Sequence, residues 1–240
     1  MGDFFNLDNK VFQAINKIVD CIGLSVLWMI CSIPVFITGY LGYATSSLIF
    51  WLVSCLTVAP AGAATTALYY TVNKVIRHSR SYVWTEFWHS FRSNFKQASI
   101  LSMILSLVAV LLAGDGYIMY QFAKEGEKIG AIYIVFVIFI VFEAAWVIYI
   151  FPYMARFENT TKQILKNTAY IAIANLPRTI VLLVVLGAVS LAVYMFPVIL
   201  IIVPSIFMLL VNLLMEKVFR KYMSEEDIAA EEERNRDSYN

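Results

Sequence analysis

Six apolar runs of 17 to 23 residues, over positions 21–37, 43–59, 98–120, 129–151, 178–196 and 198–218, alternate with short polar intervals along the chain. As helices rising 1.5 Å per residue, such runs cover about 25–35 Å, enough for the hydrocarbon core of a bilayer. The pattern predicts an all-α, polytopic membrane helical bundle of about six transmembrane helices. Residues 1–223 form a single membrane domain, and residues 224–240 an acidic cytoplasmic tail. Tyr40, Leu41 and Gly42 read as a tight turn between the first two spans, and Gly114-Asp115-Gly116 as an interruption near the end of the third. Pro60 and Pro152 end the second and fourth spans, Pro197 opens a short turn, and Pro204 should kink the sixth.

The polar intervals are amphipathic. In the longest, Trp84, Phe87, Trp88, Phe91 and Phe95 fall at i, i+3, i+4, i+7 and i+11, one face of a helix, while Glu86, His89, Arg92, Ser93, Lys96 and Gln97 point away. An aromatic stripe with Arg92 and Lys96 behind it suits the headgroup zone, where rings sink and cations stay wet. It equally suits contact with a partner. A second interfacial helix is expected near the N-terminus, with Val11, Phe12, Ile15, Ile18 and Val19 on one face and Asp8 or Asn9 as its cap. Residues 59–76 carry a small-residue row, Ala59, Ala63 and Ala67, that admits a close helix neighbour. Their polar end should dip out of the bilayer with Tyr69 and Tyr70 at headgroup level. From Thr160 onward, Ile164, Leu165, Thr168, Ile171 and Ala172 share a face, which predicts another amphipathic helix.

Composition agrees with a bilayer environment: of 240 residues, 60% are hydrophobic and 15% charged, against about 45–50% and about 25% in soluble domains. The net charge of +1 is uninformative, but its distribution is not. With a cytoplasmic N-terminus, every lysine and arginine except Lys124 and Lys128 falls on the inside, a strong positive-inside signal for a bacterial cytoplasmic membrane protein with both termini cytoplasmic. The cations lie in short segments beside apolar runs, which gives no reason to expect nucleic acid. The start of the chain does not read as a cleavable signal peptide. Cys21, Cys31 and Cys55 sit in apolar runs and read as small buried hydrophobes.

Candidate chemistry is sparse. Glu143 is the only ionisable residue well inside an apolar run, and a charge at bilayer centre costs about 2.5–3.5 kcal/mol on insertion scales. It should face the bundle interior, with Asn212 as a candidate hydrogen-bond partner, either as a ligand or proton site or as a structural interhelical bond. Asp115 reads as part of a helix-ending turn. His78 and His89 lack companions at metal-ligand spacing, and no HExxH, GxSxG, P-loop or dinucleotide-binding signature is present. The expectation is a non-enzyme with no cofactor and no metal.

Three stretches carry a resemblance: MGDFFNLDNKVFQAINKIVDCIGLSVLWMICSIPVFITG, then GAATTALYYTVNKV with FWHSFRSNFKQA, then FPYMARFENTTKQILKNTAYIAIANLP. In this order they resemble the YesL-like family of bacterial integral membrane proteins, a domain of unknown function. The chain departs from that pattern by an extra apolar segment over residues 40–58. The resemblance implies an accessory or regulatory partner of a carbohydrate ABC uptake system, contacting the transporter permease or another membrane protein as well as the lipid bilayer. It implies no catalytic residues. The alternative is a small-solute binding or transport protein with a site near Glu143.

Overall fold

The computed structural model describes residues 10–77, 82–223 and Glu225. The expected caps Asp8 and Asn9, the side chains of Val11 and Phe12, His78 and, Glu225 apart, the acidic tail lie outside the described residues. Within them all regular structure is helical. Four helices are long and apolar enough to cross a membrane, or five if one bent pair counts as a single span.

Helix α1 runs unbroken from Lys10–Thr45, 36 residues, through Pro34, so the expected interfacial helix and first span are one rod. The turn expected at Tyr40 to Gly42 is not there. The chain turns at Ser46, which takes a left-handed φ of 50°, and Gly42 stays helical for a packing reason. A Cβ on it would lie 3.1 Å from the Trp51 ring, so the glycine lets α2 (Leu48–Thr57) lean on α1. Helix α2 has only 10 residues and meets α3 (Ala59–Thr71) at 42°, with Pro60 in the first turn of α3. The second span is therefore a bent pair rather than one straight helix.

Helix α3 is the centre of the bundle: Ala63, Ala64, Thr66 and Ala67 have no exposed surface and Tyr69 has 1%. A helix buried on all sides must present small residues to several neighbours at once, and AGAATTA does so. A Cβ on Gly62 would fall 2.6 Å from Ser102 Cβ, so that glycine sets how closely α3 approaches α4. Residues Val72–Arg77 continue α3 as a π-helical turn.

Helix α4 spans Val83–Lys124, 42 residues, about 63 Å or twice the hydrocarbon thickness. The interfacial segment and third span are one helix that passes through Gly114-Asp115-Gly116 without a break. Asp115 thus ends nothing, and Gly116 serves packing: a Cβ there would meet Phe136 at 3.1 Å. A 3-10 turn, Lys128–Ile132, leads to α5 (Tyr133–Met154), which continues two residues beyond Pro152. Helix α6 (Thr161–Ala174) starts at a capping box between Thr160 and Gln163 and buries Ile164, Thr168, Ile171 and Ala172. Helix α7 is Leu176–Met195, and a 3-10 stretch, Pro197–Ile201, precedes α8 (Val203–Phe219). Pro204 does not kink this last helix. It sits in the first turn, where a missing N–H leaves no bond unmade.

Two cores hold the bundle. One joins Leu24 of α1, Leu68 and Val72 from the α3 rod, and Phe87 of α4. The other joins Leu101 of α4, Tyr149 and Ile150 of α5, Ile164 of α6, and Met215 and Phe219 of α8. A buried serine pair ties α1 to α8. Ser205 donates its N–H to Ser25 Oγ at 3.2 Å and its hydroxyl to the Cys21 carbonyl at 2.8 Å, while Ser25 donates to Ser205 Oγ at 2.9 Å. Ser25 on α1 therefore caps the first turn of α8 from another helix. Outside the cores, Leu48, Ile138, Phe139, Val184 and Leu191 are exposed, a surface compatible with lipid.

The α3–α4 contact is directly testable. Gly62→Ala should cost about 1–3 kcal/mol through overpacking, read as a lower melting temperature in detergent. Adding Ser102→Gly removes the atom in the way and should restore most of the loss. A single Gly62→Ala variant as stable as the parent would mean that the two helices are not held at this distance.

Candidate functional site

Glu143 is the only charged residue of α5, and it points inward with 7% of its surface exposed. Neither carboxylate oxygen has a hydrogen-bond partner among the described residues. Asn212 is fully buried but does not line the cavity that Glu143 enters, so the expected Glu143–Asn212 hydrogen bond does not form. That cavity measures about 430 Å³. Ile140, Glu143, Ala144, Val147, Ile148 and Phe151 contribute one helical stripe of α5 to its wall, and Ser102, Leu105, Ser106 and Ala109 a facing stripe of α4. Val58, Thr65 of α3, Pro152 of α5, Leu186 of α7, and Phe207, Met208 and Val211 of α8 complete it.

The hydroxyls at this wall are spent as donors. Ser102 Oγ donates to the Ser99 carbonyl at 3.0 Å, Ser106 Oγ to the Met103 carbonyl at 3.2 Å, and Thr65 Oγ1 to the Ala61 carbonyl at 2.8 Å. Thr65 also accepts from Trp28 Nε1 at 3.0 Å. Apart from these hydroxyls and the Glu143 carboxyl group, the lining is hydrocarbon.

The aromatic face of α4 divides instead of lying flat on a surface. Phe87 is fully buried in the first core, Trp88 and Phe91 pack half-buried against it, and Trp84 and Phe95 remain exposed. The rings form a ladder, Trp84–Trp88 at 5.9 Å, Trp88–Phe91 at 5.2 Å and Phe91–Phe95 at 5.3 Å between centroids. The buried face is turned toward what the sequence assigns to the polar side. Glu86 is buried and pairs with Lys74 at 2.8 Å, Ser90 is buried, and Arg92 and Lys96 are exposed. Polar residues can face inward here because protein groups meet them.

Above this part of α4 lies a polar cleft of about 650 Å³ that sequence reasoning missed. His89, Ser93, Asn94 and Gln97 form one side and Arg156, Glu158, Asn159 and Thr160 the other. Gln97 Nε2 donates to the Asn159 carbonyl at 2.9 Å, and the Arg156 guanidinium is held by Glu216 at 3.3 Å. Segments some 60 residues apart build this cleft, and no local motif announces it. Of the two histidines, His89 is exposed at its rim and His78 lies outside the described residues.

Burial ranks the α4 aromatics. Phe87→Ala should destabilise by about 3–5 kcal/mol, whereas Trp84→Ala should stay within about 0.5 kcal/mol. Thermal melts of the two purified variants check the order, and equal losses would contradict the division of the stripe.

The comparisons with known proteins cover the first part of this architecture. The family model described as "Protein of unknown function, DUF624" matches residues 21–115, from α1 into α4. No curated protein matches, and no solved structure does. Residues 21–115 are thus similar to a family whose function is unknown, and Glu143 lies beyond them.

Proposed function

We propose that this chain is a multi-pass membrane protein that binds a small, largely apolar solute in the cavity at Glu143 and carries out no catalysis. One observation supports this above the others: a buried carboxylate with no partner among the described residues faces a cavity of about 430 Å³, within the range of small-molecule sites. A purely structural acid would have its oxygens satisfied by a neighbouring helix, because an unmade bond in a low-dielectric interior costs more than the site gains. The setting is a bacterial cytoplasmic membrane with both termini inside. All cations except Lys124 and Lys128 then lie on the cytoplasmic side. The Arg156–Glu216 pair sets the end of α8 beside the end of α5, in keeping with a chain that finishes on that side.

A second reading has its own support. The resemblance to YesL-like proteins implies an accessory or regulatory role beside a carbohydrate ABC importer, and exposed Trp84 and Phe95 with Arg92 and Lys96 offer a contact face for a membrane partner.

Two experiments separate these. Native mass spectrometry of the protein in mild detergent should reveal a bound small molecule that is lost when Ala144→Phe fills the cavity, while Glu143→Gln keeps the fold. A wild-type preparation always free of ligand and a pull-down whose partner disappears in Trp84→Ala/Phe95→Ala would favour the accessory role instead. For topology, single cysteines placed at residues 124–128 should react with an impermeant reagent in whole cells, and one at Arg77 only after permeabilisation. External labelling at Arg77 would overturn the orientation.

A further inference from the structure

We infer that the Glu143 cavity selects an organic cation of one kind: a primary ammonium on a hydrocarbon body. This rests on the reading of the cavity as a solute site. The polar atoms of its wall are acceptors. Glu143 brings two carboxylate oxygens without partners. The Ser102 and Ser106 hydroxyl protons are directed to the carbonyls of Ser99 and Met103, so these two oxygens can act toward a ligand only as acceptors, while Thr65 donates to Ala61 and already accepts from Trp28. Among the described residues, no lysine, arginine, histidine, side-chain amide or indole N–H lines it. The rest of the wall, Leu105, Phe207 and Val211 among others, is hydrocarbon.

An all-acceptor site with a single acid sorts ligands by their donors. A carboxylate or phosphate would meet Glu143 with like charge and find no N–H. A quaternary ammonium would neutralise the charge but offer the hydroxyl oxygens nothing. An alcohol has one proton and no charge. A primary ammonium brings three N–H donors and the compensating charge, so it satisfies the carboxylate and has protons left for the hydroxyl oxygens. The apolar walls then take the hydrocarbon body, and the burial of the pair inside the bundle strengthens the attraction relative to water.

The test uses the full chain in lipid nanodiscs, with 4-phenylbutylammonium as probe and 4-phenylbutanol, 4-phenylbutyrate and trimethyl(4-phenylbutyl)ammonium as comparisons, each corrected for binding to empty nanodiscs. The ammonium should bind at least about tenfold tighter than the alcohol, and the carboxylate should not bind. Glu143→Gln, checked for an unchanged elution profile, should remove that advantage and leave the alcohol within about twofold of its wild-type affinity. Ala144→Phe should abolish both. An ammonium advantage that survives Glu143→Gln, or a quaternary ammonium that binds as tightly as the primary one, would overturn the inference. Alcohol and ammonium bound equally, and both lost in Ala144→Phe, would end the cation assignment while leaving the solute site standing. No binding by any of the four compounds would remove both.

Discussion

Close approach around α3 is the constraint on which this bundle depends. A helix surrounded by others in a bilayer gains little from burying hydrocarbon, since lipid tails are as apolar as leucine, so contact quality and interhelical hydrogen bonds must hold it. The small residues of α3 supply that contact. Gly62 against Ser102 brings two backbones together, Ser99 Oγ donates to the Ala59 carbonyl at 3.2 Å, and Trp28 ties α1 to Thr65 on the other flank. With α3 fixed between α1 and α4, the end of the rod brings Lys74 to Glu86. That ion pair allows the first turns of α4 to turn a polar side inward.

The same arrangement explains what was legible in the sequence and what was not. Helical class, the apolar segments and the amphipathic α6 face all follow from periodicity and length, because Thr160 with Gln163 and Ile164 with Ile171 are local signals. Glu143 was legible for the same reason: one acid in an apolar run has to face inward. Glycine roles were not. Gly42, Gly62, Gly114 and Gly116 look alike in sequence, yet Gly42 and Gly116 sit beneath Trp51 and Phe136, Gly62 beneath Ser102, and Gly114 has open space. Turn, break and close contact use the same residue, and only the neighbour decides among them. Periodicity separates the amphipathic stretch from the apolar run that begins at Ala98, yet nothing between Gln97 and Ala98 stops a helix and the two are one element. The polar cleft and the Ser25–Ser205 pair join residues far apart in the chain, and no local pattern carries that information.

The candidate site is built from both parts of the chain, and this shapes how such a site can vary. Thr65, Ser102 and Ser106 belong to the segment that matches a family of unknown function, residues 21–115. Their hydroxyls already serve the scaffold by bonding to carbonyls in the preceding turn of their own helices. The charge and most of the hydrocarbon wall come from α5, α7 and α8, outside that segment. A change at Glu143 or Phe207 alters charge or volume without touching the α3–α4 contact, whereas a change at Ser102 disturbs packing and site together. On the proposed reading, the first part of the chain supplies the serine acceptors and the second part the charge that would select a donor.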